Sequence, residues 1–170
     1  MSFAACLICF FHLPLTAKLI VLILSKILPV MRTIAIVAGG NSSEYPVSVR
    51  SAQGVEAALK GQYETYIVNI KGTEWYWEDP KGRLFRIDKN DFTLVLDDQR
   101  VRFDAAFISI HGNPGENGLL QGYFDMTGIP YTSCDAFVSA LTFNKQACKL
   151  YLMCLFDHFN FFARIDKMHE

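Results

Sequence analysis

The chain of 170 residues carries 16 Lys+Arg against 17 Asp+Glu, a formal net charge of -1, and is 51% hydrophobic. That length and apolar content suit one domain with a buried core and exclude a low-hydropathy disordered chain. The near-even charge argues against a nucleic-acid binder, which needs a concentrated basic face. In chain order, residues 1–30 come first: an apolar leader whose charged residues are Lys18 and Lys26. As a secretory signal it lacks a basic residue before the run Phe3 to Leu15. As a membrane helix it is interrupted by His12, Pro14 and Lys18, which leave pieces shorter than the roughly 20 residues a bilayer core requires. The expectation is that these residues are upstream sequence outside the fold, with a membrane anchor as the alternative.

From Met31 the pattern alternates apolar strands with helical periodicity. Thr33 to Ala38 reads as a strand ended by Gly39-Gly40, and a helix follows from Pro46 to about Leu59, with proline in the first turn where its missing N–H costs nothing. Tyr63 to Ile70 is the next strand and completes a βαβ unit. Glu74 to Trp77 and Leu84 to Ile87 flank the turn Asp79-Pro80-Lys81-Gly82 and read as a small β-hairpin insertion. Ala105 to Ile110 is a buried strand, His111 to Gly118 a glycine-rich loop, and Leu119 to about Thr127 a helix ended by Gly128. A short extended piece, Ile129 to Tyr131, precedes a final helical region running through Ala140 to Leu152. Residues 154–170 end without a cap and read as a divergent tail, or else as a short amphipathic helix. The expected fold is α/β: an open, mostly parallel, Rossmann-like sheet with flanking helices over residues 31–153. The cysteines Cys6, Cys9, Cys134, Cys148 and Cys154 show no regular spacing and fit a reducing compartment better than a disulfide framework.

Two loops sit where a strand ends and a helix begins, the edge of a parallel sheet at which ligands collect. In Gly39-Gly40-Asn41-Ser42-Ser43-Glu44 the glycines let backbone approach a ligand, and the serine hydroxyls are suited to cap helix N–H groups. Neither a dinucleotide fingerprint nor a phosphate loop is present, because the third glycine and the Gly-Lys-Ser/Thr are missing. Glu44 either meets a ligand or simply complements the helix dipole. In the second loop His111 follows the buried strand directly, and it either bonds nearby backbone or faces a carboxylate. No metal site is expected: no second histidine or cysteine pair stands at ligand spacing, and Cys6 and Cys9 lie in the leader.

Four motifs, taken in order, resemble one family. Gly39-Gly40-Asn41-Ser42-Ser43-Glu44 with Val47-Ser48 is the first, and His111-Gly112 with Gly115-Glu116-Asn117-Gly118-Leu119-Leu120-Gln121-Gly122 the second. Gly128-Ile129-Pro130-Tyr131-Thr132 and Ser139-Ala140-Leu141 with Asn144-Lys145 complete the set. Over about residues 32 to 152 the chain resembles the N-terminal domain of D-alanine:D-alanine ligases, cytoplasmic ATP-grasp enzymes of peptidoglycan synthesis. The resemblance implies a pre-ATP-grasp fold and an ATP-dependent ligase that phosphorylates the carboxylate of one D-alanine. The amine of a second D-alanine then attacks, with Mg2+ neutralising phosphate charge. It further implies that Glu44 engages the ammonium of the first D-alanine, that Val47 lines the pocket for its methyl group, that His111 stands near its carboxylate and that Lys145 reaches the ATP phosphates. Tyr45-Pro46 and Asn117 depart from the family's usual residues.

Nothing in the sequence matches the two remaining ATP-grasp domains, so the resemblance implies an N-terminal portion that is inactive alone. The alternatives are a binding or interaction module built on the same domain, and a sister ligase using D-lactate or D-serine. The implied partners are D-alanine and ATP, with a homodimer through this domain. No nucleic acid is implied, and a membrane only through residues 1–30.

Overall fold

The computed structural model describes the backbone of residues 31–166, with side chains through Phe156. The expectations for residues 1–30 and for 167–170 therefore lie outside the described residues. Eleven elements follow in order: β1 (Thr33–Gly39), α1 (Tyr45–Leu59), β2 (Glu64–Lys71), β3 (Glu74–Glu78), β4 (Leu84–Asp88), β5 (Thr93–Val95), β6 (Arg100–Val101), β7 (Ala105–Ile108), α2 (Leu119–Thr127), α3 (Ala136–Phe143) and α4 (Lys145–Asp166). The strands form one sheet in the order β6-β5-β4-β3-β2-β1-β7.

The centre of that sheet is parallel, as the sequence predicts: β1 pairs with β2 from Thr33↔Glu64 to Gly39↔Ile70, and with β7 from Ile34↔Ala105 to Val37↔Ile108. Ala106 also bridges Tyr131 in parallel, so the extended piece at 129–131 lies along the outer edge of β7. The expectation of a mostly parallel sheet does not hold. From β2 outward every pairing is antiparallel, β2 with β3, β3 with β4, β4 with β5 and β5 with β6. The reason lies in the connections, because a parallel neighbour needs a crossover of about a dozen residues or more. The turns at Gly72 and Gly82, both at positive φ, are far too short for that. The hairpin expected as an insertion is therefore continuous with the main sheet, through Val68↔Trp77 and Lys71↔Glu74.

Period-2 alternation divides the core between the two faces of the sheet. Ala35, Val37, Val68 and Ile70 join Phe92, Leu94, Leu120 and Phe124 on one face. Ile36, Ala38 and Ala52 face the other way, with Val49, Val55, Leu59, Ile67 and Phe107 packed around them. The first face is rich in aromatic edge contacts, among them Phe92–Phe124 at 4.9 Å, Trp75–Tyr123 at 5.1 Å and Tyr66–Trp77 at 5.2 Å. Such pairs add stabilisation beyond the area they bury.

The last helical region differs from its expected span. It starts at Ala136, where the Val138 N–H donates to the N-cap carboxylate of Asp135 at 2.8 Å, and it breaks at Asn144. Asn144 Oδ1 then accepts from the Ala147 N–H at 3.0 Å and opens a second helix. That helix continues to Asp166, so the backbone passes Cys154 without interruption. Among the described residues no helix is long and apolar enough to cross a membrane.

Candidate functional site

Both loops singled out in the sequence lie at the carboxyl ends of β1 and β7, adjacent parallel strands, and they are bonded to one another. Leaving β1, Gly39 and Gly40 adopt φ of +94° and +101°. A Cβ on Gly39 would lie 2.5 Å from the Ile70 carbonyl oxygen and 2.7 Å from Cε2 of Tyr45, and one on Gly40 would lie 2.7 Å from Cγ2 of Ile110. Glycine is thus required here by the protein's own packing, whereas the sequence reading assigned the close approach to a ligand. The Gly40 N–H donates to Ile70 O and the Asn41 N–H to Asn113 O, both at 2.8 Å. The Ser42 hydroxyl donates to the His111 carbonyl at 3.0 Å and accepts from the Glu44 N–H at 3.2 Å. Of the two serines expected to cap, Ser42 therefore bonds a backbone N–H, and no such bond from Ser43 occurs among the described residues.

One turn into α1, the buried Ser48 hydroxyl accepts from Gly39 N–H and donates to Ser109 O, each at 2.8 Å. Ser48 thereby locks the start of the helix to the ends of β1 and β7. Asn41 does the same for the opposite neighbour, its Oδ1 accepting from the Gly72 N–H at 2.8 Å. The second loop is closed on itself, since Glu116 accepts from Gly112 N–H through its carboxylate at 2.9 Å and donates its own N–H to Gly112 O at 2.8 Å. Tyr45 lies against the first loop, and its phenol is pushed up to about 12 by burial, by a hydrogen bond with Tyr76 and by the charges of Tyr76 and Glu78.

A groove of about 400 Å³ opens beside the second loop, with Ser51, Val55, Ser109, His111, Glu116 and Ser133 among its lining residues. Residues 33–134 match the family described as the D-ala D-ala ligase N-terminus. The chain belongs to this family. It is 55% identical over 122 residues to a D-alanine–D-alanine ligase of Phocaeicola vulgatus, a match covering 71% of this chain and 38% of that relative. The crystal structure of D-alanyl-alanine synthetase A from Vibrio cholerae superposes with a TM-score of 0.65 at 34% identity, covering 74% of this chain and 38% of that one. A D-alanine–D-alanine ligase from Bacillus anthracis, complexed with ATP, matches with a TM-score of 0.54 at 26% identity, covering 74% of this chain and 35% of that one. The chain thus spans about two fifths of the length of the curated ligases it matches.

Within this ligase domain the residues singled out by sequence fall in two places. Glu44 is the N-cap of α1, exposed, and its side chain makes no cap hydrogen bond. Val47 in the first turn is 52% exposed, so an apolar side chain stands in solvent beside Glu44. His111 is half-buried in the groove, and its bond to the first loop runs through its carbonyl. These three share one edge of the sheet. Lys145 stands apart, exposed at the first position of α4, with no hydrogen bond or ion pair to either loop among the described residues.

No group of three or more His, Cys, Asp or Glu side chains is placed to hold a metal ion among the described residues. Sequence reading gave no role to Ser48, Asn41 or Gln121. The available signal was positional: Ser48 and Gln121 are polar residues on helix faces that otherwise pack apolar side chains, a pattern that calls for a buried partner.

Proposed function

We propose that this chain is the first-substrate side of a D-alanine:D-alanine ligase, a cytoplasmic ATP-dependent enzyme of cell-wall peptidoglycan synthesis. The observation that carries the reading is the pair of bonds joining the two loops, Ser42 Oγ to His111 O at 3.0 Å and Asn41 N to Asn113 O at 2.8 Å. They hold Glu44, Val47 and His111 on one edge of the sheet, in a chain belonging to the ligase N-terminal family. A carboxylate free of internal hydrogen bonds is suited to the ammonium of D-alanine, and Val47 offers an apolar wall for a methyl group. His111 then stands near the substrate carboxylate and Lys145 reaches the ATP phosphates once the rest of the enzyme brings them together. In that reaction the carboxylate of the first D-alanine takes the terminal phosphoryl group of ATP and ADP leaves. The amine of the second D-alanine attacks the acyl carbon, and inorganic phosphate departs with the phosphorylated oxygen. Magnesium supplies charge neutralisation at the phosphates in the complete enzyme. The contribution of this domain is placement of charge and substrate. A homodimer through this domain belongs to the same reading, supported by the exposed apolar side chains Phe137, Phe143, Leu150, Tyr151 and Phe156.

The test joins residues 31–153 to the downstream domains of the Phocaeicola vulgatus ligase. Glu44→Gln in that chimera is expected to weaken use of the first D-alanine by about 1.5 to 3 kcal/mol, the range for a hydrogen bond to a charged group. An unchanged KM and kcat would remove Glu44 from the site. The binding-module alternative makes the opposite prediction for the parent chimera, no turnover at all.

A further inference from the structure

The side chain of Gln121, on the first turn of α2, is fully buried, and its amide is turned toward the glycine loop. Its Nε2 donates to the Gly115 carbonyl at 2.7 Å and to the Ser133 hydroxyl at 3.3 Å. Its Oε1 is buried and has no hydrogen-bond partner among the described residues. The donors alone therefore set how the amide lies, because the reverse orientation would press its oxygen against the Gly115 carbonyl. The residue it holds has no freedom to spare: a Cβ on Gly115 would fall 2.6 Å from both Cβ and the carbonyl oxygen of Ile110. Ser133, the second partner, is itself held at a φ of +108° where the chain turns toward α3. Gly115, Ser133, His111 and Glu116 all line the same groove. A side chain present only to fill space between Leu120 and Phe124 would be apolar, as those neighbours are.

We propose that Gln121 is a positioning residue for the His111 loop, fixing Gly115 and Ser133 against α2 and so setting the wall of the groove. That His111 faces a substrate rests on the ligase reading; the hold itself does not, and the test uses no ligand.

The experiment is amide hydrogen exchange and chemical shift in the isotope-labelled full chain, comparing Gln121→Met and Gln121→Glu with the parent. In Gln121→Met the Glu116 amide, bonded to Gly112 O, is expected to exchange about five- to tenfold faster, the effect of losing one ordinary hydrogen bond. Amides of Ile36 and Val68 in the sheet keep their protection. In Gln121→Glu the introduced carboxyl donates to Gly115 O only while protonated. The loop shifts then match the parent at low pH and depart as the carboxyl ionises, after subtraction of the parent's own titration of His111, Glu116, Asp125 and Asp135. Parent-like exchange of the loop in Gln121→Met would overturn the proposal, as would a Gln121→Glu chain with no pH step beyond the parent's. If Gln121→Met loses sheet protection as well, the Gln121→Glu titration decides alone. A failure of the ligase reading would leave all of these readouts where they are.

Discussion

Ser48 shows at the scale of one side chain how the candidate site is held. Its hydroxyl satisfies a donor at the end of β1 and an acceptor at the end of β7 in a place closed to water. Removing it strands two buried backbone groups, and an unpaired buried group costs about 1–3 kcal/mol. Ser48→Ala is therefore expected to lower the unfolding free energy in urea by about 1–3 kcal/mol, while alanine at the exposed Ser51 on the same helix changes it little. Equal effects at the two positions would contradict the role given to Ser48. The two loops that carry Glu44 and His111 were legible in the sequence, because glycines cluster at the ends of β1 and β7 and glycine clusters announce unusual backbone. What those glycines approach was not legible. Gly39 closes on Ile70 and Gly40 on Ile110, contacts between segments far apart in the chain, and Gly39 also meets the nearby Tyr45 ring. The role of Ser48 was hidden for the same reason, since Ser109 becomes its neighbour only after folding, and that of Gln121 because its bonds to Gly115 and Ser133 depend on how the glycine loop and the turn before α3 fold against α2.

At the scale of elements, periodicity located β1, α1, β2, the β3–β4 hairpin and α2 close to their observed spans, because each has one buried face and a marked end. It gave no account of β5 and β6, short strands whose place depends on pairing with β4. The direction of the outer sheet was equally out of reach of local pattern and follows from connection length. Two aromatic anchors tie this antiparallel arm to the core. The Tyr66 phenol on β2, pushed up to about 12 by burial, then by its hydrogen bond to Glu64 and by that residue's charge, donates to Glu64 Oε1 at 2.6 Å. Tyr123 on α2 is pushed up to about 12 by burial, then by the charges of Asp91 and Asp88. An unfolded tyrosine titrates near pH 10, so in the window from about 10 to 12 the unfolded chain has lost protons that the folded chain keeps. Their contribution to stability is complete below pH 10 and is lost as pH rises toward 12. Urea midpoints across that window are expected to fall, and Tyr66→Phe is expected to flatten the slope; a Tyr66→Phe chain with the parent's slope would contradict the assignment.

For the whole molecule, the decisive fact is proportion. The chain belongs to the ligase N-terminal family, yet it spans about 38% of the length of its Phocaeicola vulgatus relative. The described residues bring Glu44, Val47 and His111 to one sheet edge, leave Lys145 apart, and hold no cluster suited to a metal ion. Phe137, Phe143, Leu150, Tyr151 and Phe156 on α3 and α4 are exposed as well. The proposal made above rests on this arrangement: a substrate-side domain whose chemistry the rest of a ligase completes. The family was legible in the sequence because its four motifs stand in order at strand ends and on the helices that follow them. The most direct measurement is ADP release from ATP, magnesium and D-alanine, run on residues 31–153 alone and on the same residues joined to the downstream domains of the Phocaeicola vulgatus ligase. The account predicts D-alanine-dependent ADP release from the joined protein only; release by residues 31–153 alone, or by neither protein, would contradict it.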